Sequence, residues 1–156
     1  MNNPRLHVGD RVPDFTLPDQ AGRATSLGEL LGAGWLVLYF YPKDDTPGCT
    51  AEACLFRDEH QTFADAGARV VGVSSDDVDS HRRFAEKCRI PFTLLSDRGG
   101  ALRARFGVPR TLGLLDGRVT YVVDAGGTIR HVFNSQIRAR QHVAEALRLV
   151  RSVPPA

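Results

Sequence analysis

The order in which two kinds of pattern alternate along this chain constrains its fold more than any other feature. Apolar, β-rich runs at Trp35 to Tyr41, Arg69 to Ser74 and Phe92 to Leu95 are separated by stretches of helical pattern, Pro47 to Ala66 closed by Gly67, and Asp79 to Lys87 before Pro91. Strand, helix, strand, helix, strand requires crossovers, and crossovers join parallel strands. Two further runs, Val119 to Asp124 and Ile129 to Phe133, are parted only by the turn signal around Asp124-Ala125-Gly126-Gly127, which predicts an antiparallel hairpin. A last helix is expected from Arg140 to Arg151, before Pro154. Near the start, Phe15 to Leu17 and Ala24 to Leu27 flank Asp19-Gln20-Ala21-Gly22, a second hairpin signal. The expected fold class is α/β, a mixed central sheet flanked by helices with an N-terminal β-hairpin.

With 156 residues and no repeat or linker, the chain reads as a single domain over 1–156. Twenty Lys and Arg against 18 Asp and Glu leave a net charge of +2, too small for a protein whose task is to hold a polyanion. No nucleic-acid partner is expected, and Arg98, Arg103, Arg105 and Arg110 read as a solvated face. No apolar run approaches the roughly 20 residues of a membrane span. The opening Met1 to His7 lacks the apolar run of a secretory signal, so the expected address is cytoplasmic. In a reducing compartment the three cysteines, Cys49, Cys54 and Cys88, read as chemistry or buried filler rather than as a framework. The five histidines show no zinc spacing, and no metal is expected. Asp44-Asp45 and Asp76-Asp77 lie in turn settings and read as solvated loop residues.

Chemistry concentrates between Phe40 and Cys54, where a strand end runs into a helix start. Pro is favoured at the first helical position, which makes Thr46 the N-cap, Pro47 first, Gly48 second and Cys49 third. Unpaired N–H groups and the positive end of the helix dipole favour a thiolate at Cys49. Gly48 is expected to leave the approach to that sulfur open. At 100° per residue Cys49, Phe56 and Phe63 fall on one apolar stripe facing the sheet, so Cys49 should lie at the bottom of a pocket. Cys54, five residues on, would have its Cα about 8 to 9 Å away in an intact helix. A disulfide tolerates only about 7 Å, so if these two pair, the first turns of the helix must unwind.

These residues resemble the peroxiredoxins, specifically the bacterioferritin comigratory protein or peroxiredoxin Q type. The similarity runs from Val8-Gly9-Asp10 and Pro13 to Asp19, through Phe40-Tyr41-Pro42, to Val123-Asp124 and His131-Val132-Phe133. The family's Pro, Thr or Ser, Cys spacing is matched by Pro42, Thr46 and Cys49, and its distant Arg by Arg118 in Arg118-Val119-Thr120-Tyr121. The resemblance implies a thioredoxin-like fold with Cys49 as the peroxidatic nucleophile. It further implies that Thr46 hydrogen-bonds the peroxide, Pro42 shields the sulfur, and Arg118 lies beside it. Its resolving thiol stands where Cys54 stands; some relatives carry theirs near position 85 instead, which leaves Cys88 as an alternative. Only ten residues, Val108 to Gly117, separate Gly107 from Arg118, so the longer loop of some relatives is absent.

The implied activity is thiol-dependent reduction of hydrogen peroxide and organic hydroperoxides. Cys49 would pass through a sulfenic acid and an intramolecular disulfide, and a thioredoxin or similar dithiol would recycle it, with no cofactor and a monomeric chain. Two rivals stand beside this reading. A thiol–disulfide oxidoreductase is disfavoured because no Cys-x-x-Cys is present. A redox-sensing module would use oxidation of Cys49 to reshape the helix for a partner.

Overall fold

The computed structural model describes residues 5–32, 34–111 and 115–153. Met1 to Pro4, part of the opening stretch that lacks a signal, Leu112 to Leu114 before Arg118, and the tail Pro154 to Ala156 lie outside the described residues. The chain opens with an antiparallel hairpin, β1 (Thr16–Pro18) and β2 (Ala24–Ser26), followed by α1 (Leu27–Leu31). Then come β3 (Trp35–Phe40), α2 (Pro47–Asp58), α3 (His60–Asp65), β4 (Ala68–Ser74), α4 (Val78–Cys88) and β5 (Thr93–Ser96). After a 3-10 turn at Arg98–Gly100 follow α5 (Ala101–Phe106), the short pair β6 (Arg110–Thr111) and β7 (Leu115–Asp116), β8 (Val119–Val123), β9 (Ile129–Asn134) and α6 (Ala139–Ser152).

The central sheet has the order β5-β4-β3-β8-β9. β3 pairs parallel with β4, and β4 with β5, whereas β8 runs antiparallel to both β3 and β9, the mixed sheet expected from the alternation. Every residue of β3 is buried, because both faces of the sheet are covered. Trp35, Val37 and Tyr39 join Cys49, Ala53 and Phe56 of α2, Phe84 of α4 and Val143 of α6. Leu36, Leu38 and Phe40 point the other way, into a core with Leu30 of α1 and Phe106 of α5. Each such side chain removed from water contributes about 2 kcal/mol. Site-bearing α2 is therefore seated on the sheet by its apolar stripe.

The structure corrects three local expectations. Leu27 is the first residue of α1 rather than the end of a strand, because Ser26 Oγ accepts from the Glu29 N–H at 3.2 Å and caps a helix there. The helix expected over Pro47 to Ala66 is two helices, broken at Glu59, where φ is −96° and ψ is 7°. No Pro or Gly marks that break, so it left no local signal. Arg103 is not part of a solvated face: it is buried, donates to the Tyr41 carbonyl at 2.7 Å and the Gly117 carbonyl at 2.8 Å, and stands over the Phe40 ring. It thereby ties the chain just before Pro42 to the chain just before Arg118.

Candidate active site

The loop from Tyr41 to Thr46 delivers the chain from the carboxyl end of β3 to the start of α2. Thr46 has the extended backbone of an N-cap, φ −96° and ψ 155°, with Pro47 opening the helix as expected. Its hydroxyl does not cap the helix; it donates back to the Lys43 carbonyl at 2.9 Å. Thr46 and Pro42 are both half-buried on this loop.

Cys49, in the first turn of α2, is 1% exposed and sits in the same core as Phe56 and Phe63, as the stripe predicted. Arg118, 69 positions away, donates from Nη2 to Cys49 Sγ at 3.2 Å. Its Nη1 donates to Glu52 Oε1 at 2.6 Å and its Nε to the Gln136 carbonyl at 3.0 Å, so three acceptors hold one guanidinium in one orientation. The glycine at 48 also serves a purpose the sequence did not suggest. A Cβ there would stand 3.0 Å from Arg118 Nη2, so the missing side chain makes room for the arginine.

Glu52 is a site residue the sequence did not reveal. It lies one turn beyond Cys49 and is wholly buried, and burial pushes its carboxyl up to about 7 against the opposing pull of Arg118. His142 of α6 lies behind it, with Nδ1 3.7 Å from Glu52 Oε2. That imidazole receives the Thr120 hydroxyl on Nδ1 at 2.8 Å and donates Nε2–H to the Ser135 carbonyl at 2.6 Å. Burial lowers it to about 4, so it is neutral near pH 7. Helical periodicity places Glu52 near the core face, but only a partner as remote as Arg118 explains a buried carboxyl there.

Asp44 is also buried, contrary to the solvated reading, because its carboxylate is the centre of a network. It accepts from the Tyr41 hydroxyl at 2.6 Å, the Ser80 hydroxyl at 2.8 Å and His81 Nδ1 at 2.7 Å. His81 donates its other nitrogen to the Leu95 carbonyl at 2.9 Å. Burial alone would lower this imidazole, but the Asp44 carboxylate and that carbonyl raise it above its usual value. Asp44, Asp76 and His81 place ligand atoms within 4.8 Å of one another, yet both nitrogens of His81 are already taken by hydrogen bonds. Asp45 and Asp77 differ from it: Asp45 pairs with Lys87 at the surface, and Asp77 caps α4 by accepting from the Ser80 N–H at 2.8 Å. The network fastens the active-site loop to α4.

All three cysteines are free thiols. Cys54, five residues beyond Cys49 in the same helix, is half-buried and packs against the core cluster that includes Cys88. One turn on, Arg57 Nη1 donates to the Cys88 carbonyl at 2.7 Å.

Among the described residues no helix is long and apolar enough to cross a membrane. Residues 8–132 match the AhpC/TSA family. The chain is 48% identical over 150 residues to the chloroplastic peroxiredoxin Q of Oryza sativa subsp. japonica, covering 96% of this chain and 69% of that one. The crystal structure of peroxidoxin BcpB from Mycobacterium tuberculosis superimposes with a TM-score of 0.90 at 42% identity, over 96% of this chain and 99% of the other. The bacterioferritin comigratory protein of Xanthomonas campestris follows with a TM-score of 0.81 at 32% identity, over 88% and 90%. The plant names overturn the cytoplasmic expectation, since the compartment they state is the chloroplast. An address is read from a targeting segment by a receptor, so the composition of a folded domain does not carry it. A sulfur held by a distant guanidinium at a helix start, on a thioredoxin-like sheet, agrees with these matches: the chain belongs to the AhpC/TSA family, in its peroxiredoxin Q branch of thiol-dependent peroxidases.

Proposed function

We propose that Cys49 is the sulfur that attacks the peroxide, and the observation that carries this is the 3.2 Å contact between Arg118 Nη2 and Cys49 Sγ. A fixed cation beside a thiol favours the thiolate, which is the nucleophile. The thiolate attacks one peroxide oxygen, the O–O bond breaks, and the departing oxygen takes a proton to leave as water or alcohol. Cys49 is left as a sulfenic acid. Arg118 and the uncapped N–H groups of the first turn of α2 stabilise charge on the departing oxygen, which exists only as the bond breaks. Since the Thr46 hydroxyl spends its proton on the Lys43 carbonyl, its oxygen is free to accept the peroxide O–H. Pro42, half-buried on the same loop, shields the sulfur from water.

Cys54 then condenses with the sulfenic acid, releasing water and forming the Cys49–Cys54 disulfide. Because both residues lie in α2, this step needs the first turns of that helix to unwind. A thioredoxin-like dithiol restores both thiols by exchange, and no cofactor or metal takes part. The Xanthomonas campestris protein is described by its alkyl peroxide reduction activity, which supports organic hydroperoxides beside hydrogen peroxide as substrates here.

Cys49→Ser should abolish peroxide consumption, and a variant that still consumed peroxide would refute the assignment. Cys54→Ser should reduce one equivalent and then lose thioredoxin-supported turnover. Unchanged turnover would remove Cys54 from the cycle.

A further inference from the structure

We infer that Arg103 is a positioning residue for the peroxide reaction: its guanidinium sets the gap between the segment that carries Pro42 and Thr46 and the segment that carries Arg118. This deepens the reading that those three residues surround the peroxide at Cys49, and it rests on that reading. The ladder between β3 and β8 ends at Phe40 opposite Val119. Each strand nevertheless stays hydrogen-bonded to its outer neighbour one residue further, Tyr41 N–H to the Val73 carbonyl at 3.0 Å and Ser135 N–H to the Arg118 carbonyl at 3.2 Å. Pairing therefore stops between the two strands at the point where the site begins. Arg103 reaches into that fork, with Nη2 donating to the Tyr41 carbonyl at 2.7 Å and Nη1 to the Gly117 carbonyl at 2.8 Å. One side chain spans the place where the backbone ladder has ended, directly before Pro42 on one side and directly before Arg118 on the other.

Arg103 is itself held. The Asp97 carboxylate accepts from the Leu102 N–H at 3.0 Å and the Arg103 N–H at 2.9 Å, which fixes the first turn of α5. The guanidinium lies 5.6 Å from the centre of the Phe40 ring, and Nε stands 3.8 Å from Asp116 Oδ2. On the Gly117 side the wall of the fork cannot retreat, since a Cβ at 117 would overlap the Pro109 carbonyl. Removing the guanidinium leaves two buried carbonyls without donors, a state that is costly and is relieved by water entering the fork. Relaxation then falls on the Tyr41 side, and Pro42 moves away from Arg118. A wider gap grips a small peroxide poorly, whereas a bulkier one still meets both walls. Arg103 thus sets both the rate and the preference for small peroxides.

Rates of the full chain with hydrogen peroxide and with tert-butyl hydroperoxide test this. Arg103→Lys keeps the buried charge beside Asp116 but lacks the planar fork that serves both carbonyls. Its rate constant for hydrogen peroxide should fall about tenfold, and that for tert-butyl hydroperoxide only about threefold, so that the ratio of the two shifts toward the bulkier substrate. Arg103→Ala should shift it the same way. Arg103 borders an open cavity with Ser75, Gly100, Val108 and Asp116, through which a small cation can enter. Low-millimolar guanidinium chloride should therefore restore the hydrogen peroxide rate of Arg103→Ala severalfold, where tetramethylammonium chloride does not. Equal losses with both peroxides in Arg103→Lys would mark a residue that supports the fold alone and would overturn the inference, as would parental rates with both. Should Arg103→Lys fold poorly, the guanidinium experiment decides, and a folded Arg103→Ala without restoration overturns the inference as well. A parent chain that consumes neither peroxide would instead remove the reading of Cys49 on which this one rests.

Discussion

Gly48 and Arg118 crowd each other: the guanidinium nitrogen that reaches the sulfur would stand 3.0 Å from a Cβ at 48, a few tenths of an ångström too close. Gly48→Ala should push Nη2 away from Cys49 and slow the reaction with peroxide about tenfold, since small misplacement of a catalytic group is costly. Alanine is the better helix former by about 1 kcal/mol, so the thermal midpoint should hold or rise. Stopped-flow rates beside a melting curve test this, and a fully active Gly48→Ala would show that the arginine tolerates displacement.

Arg118 cannot be exchanged for lysine. It serves Cys49, Glu52 and the Gln136 carbonyl at once, and an ammonium lacks the fork that does so. Both Arg118→Lys and Arg118→Ala should lower the second-order rate constant for peroxide by about 10² to 10³, the cost of losing one preorganised donor. A lysine variant within a factor of a few of the parent would mean that charge alone suffices.

Glu52 should make stability depend on pH in an unusual direction. Its folded carboxyl is raised from 4.5 to about 7 by burial, so the folded state holds the proton more tightly than the unfolded chain. That contribution is complete below pH 4.5 and is lost as pH rises through about 7. His142, lowered from 6.5 to about 4 by burial, works against it: its contribution is present above pH 6.5 and is lost as pH falls through about 4. Comparing the parent with Glu52→Gln in urea titrations isolates the carboxyl. The stability difference should move by about 3 kcal/mol between pH 4.5 and 7, the parent gaining toward the acid side. Parallel stability curves would place Glu52 outside this balance.

Asp44→Ala should unfold more easily by about 3 to 5 kcal/mol, because it strands a buried imidazole that lost its carboxylate. The effect should depend on pH. The raised His81 contributes stability that is present below 6.5 and lost as pH rises through its folded value, so the penalty should be largest in mild acid and shrink in alkali. Denaturant midpoints at pH 6 and pH 9 separate this from a simple packing loss, which would be equal at both.

Legibility divides along sequence distance. The start of α2 was readable because Thr46, Pro47 and Cys49 are neighbours whose roles follow from helix-terminus chemistry, and β3 was readable because strand burial shows as a continuous apolar run. Arg118 was placed by its resemblance to a family pattern; nothing local distinguishes an arginine that opens a strand. Glu52, Arg103 and Asp44 were missed or misread for one reason. A charge is buried only when partners compensate it, and those partners stand 66, 62 and 37 positions away. The interruption at Glu59 was invisible because neither neighbour is a helix breaker.

That interruption has a mechanical meaning. Helical order propagates through its hydrogen-bonded ladder and stops where the ladder stops. Unwinding that begins at Pro47, as the proposed resolving step requires, should therefore be confined to the 12 residues of α2, since Phe63 of α3 is buried in the core beyond the break. On the proposed cycle the discontinuity works as a firebreak: one stretch of helix comes apart and reassembles at each turnover while its neighbour keeps its seat.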